Sequence, residues 1–270
     1  MSSIPPLFHG LFDDAALFPP GNASMPDAVR AQAGYRKSWY AGLVGPFVCP
    51  ASRLTELAAE LDQPVPVSVT VPGGPAEAGA AVELADSLTG VQLAVLELPV
   101  PVAELTRSIT LLVAAGRPVF AEIPVTELTP AVAVALAEAG LGLKLRTGGV
   151  TAAAFPTATA LGAAIGIAVE SGVRFKCTAG LHHATPQTDP ATGFAQHGFL
   201  NVLLAVHAAL RGDQPAAALA LDDPAVLAER AASLSEPAVA ELRARFRSIG
   251  SCSIDEPLTD LDTLGLVAAP

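Results

Sequence analysis

Short apolar runs alternate with longer segments of helical character along the chain. The short runs are bounded by proline and glycine, the pattern of buried strands, and the longer segments often end at a glycine, as helices do. The predicted strands, some with part of the loop that follows, cover residues 7–17, 42–49, 65–71, 91–98, 118–124, 141–149, 173–183 and 247–253. The predicted helices cover residues 26–40, 52–61, 75–88, 104–116, 129–140, 156–172, 198–210 and 258–266, with one or two more inside 224–246, whereas 215–220 is a low-complexity alanine segment.

The repeated order of strand and helix predicts the fold class. No connection between strands has hairpin turn chemistry, and no strand shows the polar alternation of a half-exposed sheet. We therefore expect an α/β fold, a single-domain (β/α)8 TIM barrel over residues 1–270, with an extended lid and helical insertion at about 181–245 before the last strand. The alternative is a doubly wound open sheet. No Gly-x-Gly-x-x-Gly follows any strand, so no dinucleotide site is indicated and we expect no cofactor.

Composition narrows the class of partner. With 51% hydrophobic and 15% charged residues, the chain has the composition of a folded domain and not of a disordered one. The net charge of -11 and a pI near 4.8 argue against nucleic acid or an anionic membrane as partner. We expect a small-molecule substrate instead, bound in a locally positive pocket.

The cellular location and the oligomeric state of the protein are indicated only by general features of the sequence. Neither a signal peptide nor a membrane span is indicated. The three cysteines, Cys49, Cys177 and Cys252, are far apart and odd in number, which indicates reduced thiols and a cytoplasmic protein. The alanine-rich helix faces would suit a homodimer, and equally a tightly packed barrel exterior.

Lysine is rare in this chain. Of 15 Lys and Arg residues, only Lys37, Lys144 and Lys176 are lysines, and the last two each end an apolar run, 32 residues apart. Two consecutive strands of a parallel barrel would place both amines at the same mouth. An arginine stays protonated, whereas a lysine in a dry pocket beside another cation can lose its proton and attack a carbonyl. The pair therefore favours Schiff-base chemistry, although a single lysine at a strand end is more often a snorkelling side chain or an ion-pair partner.

Two motifs, Lys144-Leu145-Arg146-Thr147-Gly148 and Lys176-Cys177-Thr178-Ala179-Gly180, carry a family resemblance. In type, order and separation they resemble the two lysine motifs of the deoxyribose-phosphate aldolase family, class I aldolases built on a (β/α)8 barrel. Weaker similarities follow in order at residues 47–50, 69–74 and 249–253. By this resemblance, Lys144 forms the Schiff base and Lys176 is a second amine that tunes it. The segment 249–253 resembles a turn that grips a substrate phosphate.

Proton transfer needs further groups. A second ammonium nearby would lower the pKa of the first lysine by repulsion, and an iminium makes the adjacent C–H acidic, so a carboxylate or imidazole must carry a proton. The resembling family has an aspartate on its fourth strand, where this chain has Glu97 at the strand end. Glu122 interrupts an apolar run and is either a proton carrier or a buried partner of Lys144 or Arg146.

The candidate residues lie at the predicted strand ends. The Asp13-Asp14 pair could bind a substrate hydroxyl or a metal, or form an Asx turn. We predict as catalytic Lys144, Lys176, Glu97 and Glu122. We predict as substrate-binding Asp13, Asp14, Arg146, Thr147, Gly148, Gly149, Thr178, His182, His183, Gly250, Ser251 and Ser253.

The adjacent pair His182-His183 is the best metal candidate, but adjacent residues on an extended segment point in opposite directions. No His-x-His, Glu-x-x-His or Cys-x-x-Cys is present, so we assign no metal ligand and expect the pair to contact substrate. Residues 185–197, rich in Thr, Pro, Gln and Gly, predict a mobile lid. Cys177 and Cys252 could be nucleophiles, although free cysteine is more often a small buried apolar residue.

The leading expectation is a Schiff-base-forming, class I aldolase-like lyase that acts on a small carbonyl metabolite, phosphorylated or not. Two alternatives stay open. One is a metal-dependent lyase or hydrolase that uses His182 and His183, and the other is a barrel that has lost catalysis and serves as a metabolite sensor.

Overall fold

Eight parallel strands form a closed barrel at the centre of the structure, a computed structural model that describes residues 4–190 and 192–269. The barrel strands are β1 (Phe12–Asp14), β2 (Val44–Pro50), β3 (Val65–Thr70), β4 (Val91–Pro99), β5 (Val119–Glu122), β6 (Gly142–Arg146), β7 (Phe175–Thr178) and β10 (Phe246–Ser251), and two further short strands are β8 (Gln187–Thr188) and β9 (Ala195–Gln196). Around the barrel, β10 pairs with β1 and β7, while β8 and β9 form a separate hairpin. The fold is the (β/α)8 TIM barrel that the sequence predicts, and closure of the sheet removes the open-sheet alternative.

Helices cover the outside of the barrel. They are α1 (Met25–Tyr35), α2 (Leu54–Glu60), α3 (Ala78–Ser87), α4 (Leu105–Ala114), α5 (Pro130–Glu138), α6 (Ala158–Glu170), α7 (Phe199–Leu210), α8 (Pro215–Leu219), α9 (Pro224–Ala232), α10 (Glu236–Arg245) and α11 (Asp255–Thr263). Side chains of Ser24, Thr129 and Thr157 accept backbone N–H groups at the starts of α1, α5 and α6. Gly116 and Gly140, the predicted stop signals, follow α4 and α5 with φ of +64° and +70°.

The first strand and the alanine segment differ from the prediction. The predicted first strand, 7–17, is much shorter, because β1 spans only Phe12–Asp14 and residues Pro6–Phe8 form a 3-10 turn. Leu7, Phe8 and Leu11 are buried in the core, so the apolar run reflects burial and not a strand. The alanine segment at 215–220 is also not irregular, since it forms the helix α8 with proline in its first turn.

Both faces of the barrel strands are buried, but the two faces differ in chemistry. Successive side chains of a strand point in opposite directions. In β6, Leu143 and Leu145 face the helices with no exposed surface, while Lys144 between them faces the barrel axis. In β3, Val67 and Val69 face the helices in the same way. The outer face of the barrel is therefore apolar, and the charged groups are confined to its axis.

Among the described residues, one segment, a 3-10 turn followed by α6, meets the length and hydropathy of a membrane span, which the sequence did not predict. The segment Ala152–Glu170 is 19 residues long with a mean hydropathy of 1.7. Its Leu161, Ala164, Ile165 and Ala168 are buried in the hydrophobic core. The apolar character of this segment is therefore used to pack α6 in the barrel's helical layer.

The chain between β7 and β10 contains the β8–β9 hairpin and the helices α7 to α10. Residues 199–206 of α7 are all buried, and α7 packs against α6, α8 and α9. Asn201 in α7 donates to the carbonyl oxygens of Ala218 and Leu221 at 2.9 and 2.8 Å, which fixes α8 against α7. The predicted lid, 185–197, includes the hairpin, and its mobility stays a prediction.

Two glycines in α6 test this packing. A Cβ at Gly162 would lie 2.7 Å from the backbone N of Ala216 in α8, whereas a Cβ at Gly166 would meet nothing within 4 Å. We expect Gly162→Ala to lower the free energy of unfolding by about 1–3 kcal/mol through overpacking. Gly166→Ala should raise it by about 0.5–1 kcal/mol, because alanine loses less entropy in a helix. Urea unfolding of both variants checks this, and equal effects would contradict the packing of α6 on α8.

Candidate active site

The two scarce lysines lie side by side on neighbouring strands. Lys144 in β6 and Lys176 in β7 are direct register partners, so both side chains enter the barrel near the carboxyl ends of the strands, which we call the mouth. The exposed fraction of the Lys144 side chain is 7%, and that of Lys176 is 1%. The spacing of 32 residues thus corresponds to one complete βα unit.

Glu97 lies between the two amines. Its Oε2 is 2.8 Å from Lys144 Nζ, and its Oε1 is 2.5 Å from Lys176 Nζ. Ser68 on the adjacent β3 donates its hydroxyl to Glu97 Oε1 at 2.5 Å. The carboxylate that the sequence placed at the end of β4 therefore joins both lysines, and a buried hydroxyl fixes its orientation.

Lys176 is enclosed on its other side as well. Its ammonium donates to Asp13 Oδ2, and Ser248 donates to the same oxygen at 2.6 Å. The ring of Phe120 covers the ammonium at 5.9 Å from the ring centroid. At Gly45, a Cβ would lie 2.2 Å from Asp13 Oδ1, so only glycine leaves room for this carboxylate. Asp13 is a buried partner of Lys176, and its predicted contact with substrate stays a prediction.

Lys144 has a second carboxylate and a more exposed neighbour. Glu122 Oε2 lies 3.1 Å from Lys144 Nζ, and Arg146 Nε donates to Glu122 Oε1 at 2.8 Å. Glu122 is therefore an ion-pair partner of both Lys144 and Arg146, and its role as a proton carrier stays a prediction. Arg146 is 47% exposed at the mouth. The resulting lysine cluster pairs three cations with three carboxylates: Lys144, Lys176 and Arg146 with Asp13, Glu97 and Glu122.

The charges of the lysine cluster set its protonation. Burial by itself lowers the pKa of Lys176, but the carboxylates of Asp13 and Glu97 outweigh burial and raise this pKa above the usual lysine value. Burial raises the pKa of Glu97, yet the ammonium groups of Lys144 and Lys176 hold it well below the usual range. The pKa of Glu122 is lowered against its burial by Lys144 and the neighbouring guanidinium. The carboxylate of Glu97 thus lies between the two ammonium groups whose mutual repulsion the sequence analysis invoked.

The loops after β6 and β7 are tied to each other. Thr147 donates its hydroxyl to the carbonyl oxygens of Thr178 and Ala179, at 3.1 and 2.6 Å. A Cβ at Gly148 would lie 2.8 Å from the backbone of Gly180, so the two loops pack backbone on backbone. A Cβ at Gly149 would meet the Ala154 side chain at 2.7 Å. These predicted substrate-binding residues hold the loops beside the lysine cluster.

Asp14 lies on the opposite face of β1 from Asp13. Its Oδ1 accepts the backbone N–H of Ala16 at 3.2 Å, which is the Asx turn considered from the sequence. Its Oδ2 is buried and has no hydrogen-bond partner in the part of the chain that the structure describes. Burial, only partly offset by the Ala16 N–H, raises the pKa of Asp14 to about 7. Ser251, its register partner on β10, faces the same way.

The histidine pair divides between two environments. His182 Nδ1 lies 3.4 Å from the Cys252 sulfur and 3.5 Å from Glu256 Oε2. His183 Nδ1 lies 3.0 Å from Asp260 Oδ2, beside a surface cleft. The side chains separate as the sequence argument required, and neither contacts a residue of the lysine cluster in the hydrogen bonds described.

Metal and thiol chemistry receive little support. Within residues 4–190 and 192–269, no group of three or more His, Cys, Asp and Glu side chains is arranged to hold a metal ion. Burial raises the pKa of the Cys177 thiol to about 12 and that of Cys252 to about 11, so neither is a ready nucleophile.

Four residues around the lysine cluster were not predicted as site residues from the sequence. They are Ser68, Thr70, Phe120 and Ser248. The sequence does contain a signal for Ser68 and Thr70, because each is a polar residue among the valines of β3. A polar residue on a buried strand needs a hydrogen-bond partner, which indicates a polar site on that face of the strand. Among the described residues the buried hydroxyl of Thr70 has no such partner, and it lies two residues after Ser68 on the same face.

No protein-family model and no curated protein matches the chain. Among solved structures, the chain is similar to deoxyribose phosphate aldolase from Aeropyrum pernix, with a TM-score of 0.51 and 12% identity over 96% of this chain and 93% of that chain. A nitroalkane oxidase from Streptomyces ansochromogenes gives a TM-score of 0.42 and 13% identity over 97% of this chain and 99% of that chain. The first likeness confirms the remote resemblance that the lysine motifs predicted, and at this identity it shows the fold alone.

Glu97→Gln tests the buried charge network. Removing one charge from a buried ion pair leaves the others uncompensated, so we expect a loss of about 3–5 kcal/mol in the free energy of unfolding at neutral pH. Because the pKa of Glu97 is lowered in the folded chain, its contribution is complete above the unfolded pKa of about 4.5 and is lost as the pH falls below it. The difference between variant and wild type should therefore shrink in acid. Glu104→Gln, on an exposed side chain, should change stability by less than about 0.5 kcal/mol.

Asp14→Asn should have the opposite pH dependence. The pKa of Asp14 is raised, so the folded chain holds a proton that the unfolded chain has released between about pH 4 and pH 7, and wild-type stability falls across that window. At pH 8 the variant should be more stable by up to about 4 kcal/mol, with little difference at pH 4. Thermal unfolding across this range checks it. A pH-independent difference, or the same effect from Asp62→Asn at an exposed position, would contradict the assignment.

Proposed function

We propose that this protein is a Schiff-base-forming lyase of the class I aldolase type, acting on a small carbonyl metabolite, with Lys144 as the nucleophile. The observation that carries the proposal is the lysine cluster itself: two buried amines on adjacent strands, joined by one carboxylate, at the mouth of a (β/α)8 barrel. Active sites of this fold lie at that end of the barrel.

The surroundings of the two amines support Lys144 over Lys176 as nucleophile. Lys176 is enclosed by Asp13, Glu97 and Phe120, and its raised pKa keeps it protonated. Lys144 lies two residues before the exposed Arg146 on the same strand and shares Glu122 with it, and its side chain retains some exposed surface. A carbonyl compound entering at the mouth would therefore meet Lys144 first.

The carboxylates supply the proton transfers. Lys144 must lose a proton before it can attack, and Glu97 and Glu122 lie 2.8 and 3.1 Å from its nitrogen to accept one. The nitrogen lone pair then forms a bond to the carbonyl carbon, and the carbonyl oxygen leaves as water after taking up two protons. The iminium product carries one positive charge, as the ammonium did, so the charge balance of the lysine cluster is preserved.

Carbon–carbon cleavage follows from the iminium. The bond beyond the adjacent carbon breaks, its electrons move into the iminium to give a neutral enamine, and the departing fragment loses its hydroxyl proton to a carboxylate and leaves as a carbonyl compound. Glu122 suits this role because its side chain is 18% exposed, whereas that of Glu97 is 2% exposed and tied to Lys176. Return of a proton to the enamine carbon and hydrolysis of the iminium restore Lys144.

Reduction with borohydride tests the proposal on a chain with only three lysines. After incubation with a panel of small aldehydes and ketones, a mass spectrum should show one stable adduct in wild type and in Lys37→Ala, whose substituted residue is exposed and outside the site. The adduct should be lost in Lys144→Ala. In Lys176→Ala it should form more slowly, since Glu97 loses its second cation.

Two results would count against this reading. An adduct retained in Lys144→Ala and lost in Lys37→Ala would assign the reaction to a surface amine. No adduct with any carbonyl compound would leave the lysine cluster as a structural or ligand-binding feature, and a non-catalytic metabolite sensor would then be the better interpretation.

A further inference from the structure

The turn between β10 and α11 is the place where this fold commonly binds phosphate. In (β/α)8 barrels, phosphate groups frequently bind at the loops after strands 7 and 8 and at a nearby helix N-terminus. Here those loops follow β7 and β10, and the helix is α11. We call residues 251–256 the acidic turn, for the charges described below.

The two serine hydroxyls of the acidic turn already have partners within it. Ser251 donates its hydroxyl to the carbonyl oxygen of Ser253 at 2.6 Å and accepts the Ser253 N–H at 3.4 Å. The Ser253 hydroxyl in turn accepts the backbone N–H of Glu256, at 3.2 Å, which caps the first turn of α11. A phosphate would have to displace these internal bonds.

The charge of this region is negative. Asp255 and Glu256 occupy the first turn of α11, where they take the favourable interaction with the helix dipole that a phosphate would otherwise use. From residue 248 to residue 270 the chain contains four acidic residues and no lysine or arginine, and residues 177–198 contain no lysine or arginine either. A phosphate here would face carboxylates without a compensating cation.

The buried carboxyl of Asp14, on the neighbouring strand β1, lies close to the acidic turn. Asp14 is the register partner of Ser251, and among the described residues its Oδ2 has no partner. Burial is the main cause of the raised pKa of the Cys252 thiol in the acidic turn, and the charges of Glu256 and Asp14 add to it. Above about pH 7, where Asp14 is ionised, an anion bound at this end would meet a third negative group.

Positive charge lies elsewhere at the mouth. The exposed cation beside the lysine cluster is Arg146 on β6, and β7 separates β6 from β10. The exposed cation of the mouth therefore lies near the proposed nucleophile, where the charges are balanced, and the acidic turn lies on the other side of β7.

We infer that the substrate of this site is a small carbonyl compound without a phosphate group, whose far end is uncharged where it meets the acidic turn. This inference rests on the proposed function. It differs from the expectation that Gly250, Ser251 and Ser253 grip a phosphate.

The test compares glyceraldehyde with glyceraldehyde 3-phosphate in the borohydride trapping reaction. Wild type should trap the unphosphorylated aldehyde at least about tenfold faster, because like charges at a binding site disfavour the phosphorylated one. In the double variant Asp255→Asn and Glu256→Gln, both on exposed side chains, this ratio should fall severalfold. The matched control is Glu60→Gln with Asp62→Asn, which makes the same change in net charge away from the mouth and should leave the ratio unchanged.

Equal or faster trapping of the phosphorylated aldehyde by wild type would overturn the inference. If neither aldehyde is trapped, the proposed function fails, and a second measurement still decides the phosphate question. Calorimetric titration of wild type with inorganic phosphate at constant ionic strength should show no saturable binding. Saturable binding that persists in Arg146→Gln would place a phosphate site away from the arginine and overturn the inference independently of imine chemistry.

Discussion

Two ammonium groups in a barrel interior need negative charge between them, because an uncompensated buried charge costs several kcal/mol. Glu97 meets that need by giving one carboxylate oxygen to each lysine. Ser68 then holds the carboxylate, and Asp13 with Ser248 closes the other side of Lys176. Inward-facing side chains of β1, β3, β4, β6, β7 and β10 all contribute to this one arrangement.

The sequence could predict the barrel because both faces of its strands are buried and the helices between them end at glycine. It could also predict that Lys144, Lys176, Glu97 and Glu122 meet, since all four stand at the carboxyl ends of consecutive strands. These inferences need only strand order and direction, which the alternation of short and long segments supplies.

The remainder depended on details that strand order does not determine. Whether Asp13 or Asp14 faces the axis depends on the exact start of β1, and a shift of one residue exchanges the two faces. The first residue of β1 could not be located from the sequence, because the apolar run before it includes Leu7 and Phe8, which are buried in a 3-10 turn and not in the strand. Likewise, Ser248 is 235 residues from Asp13, and no local pattern indicates that they share a hydrogen bond.

That same separation has a consequence for the order of folding. Asp13 and Ser248 come together only when β1 and β10 pair and the sheet closes, a contact between nearly opposite ends of the chain, which carries the largest loop-closure cost. Until then Lys176 lacks one of its two carboxylates. During synthesis, most of the barrel can therefore assemble before its reactive centre exists, and the emerging chain carries no finished amine site until its final strand has been made.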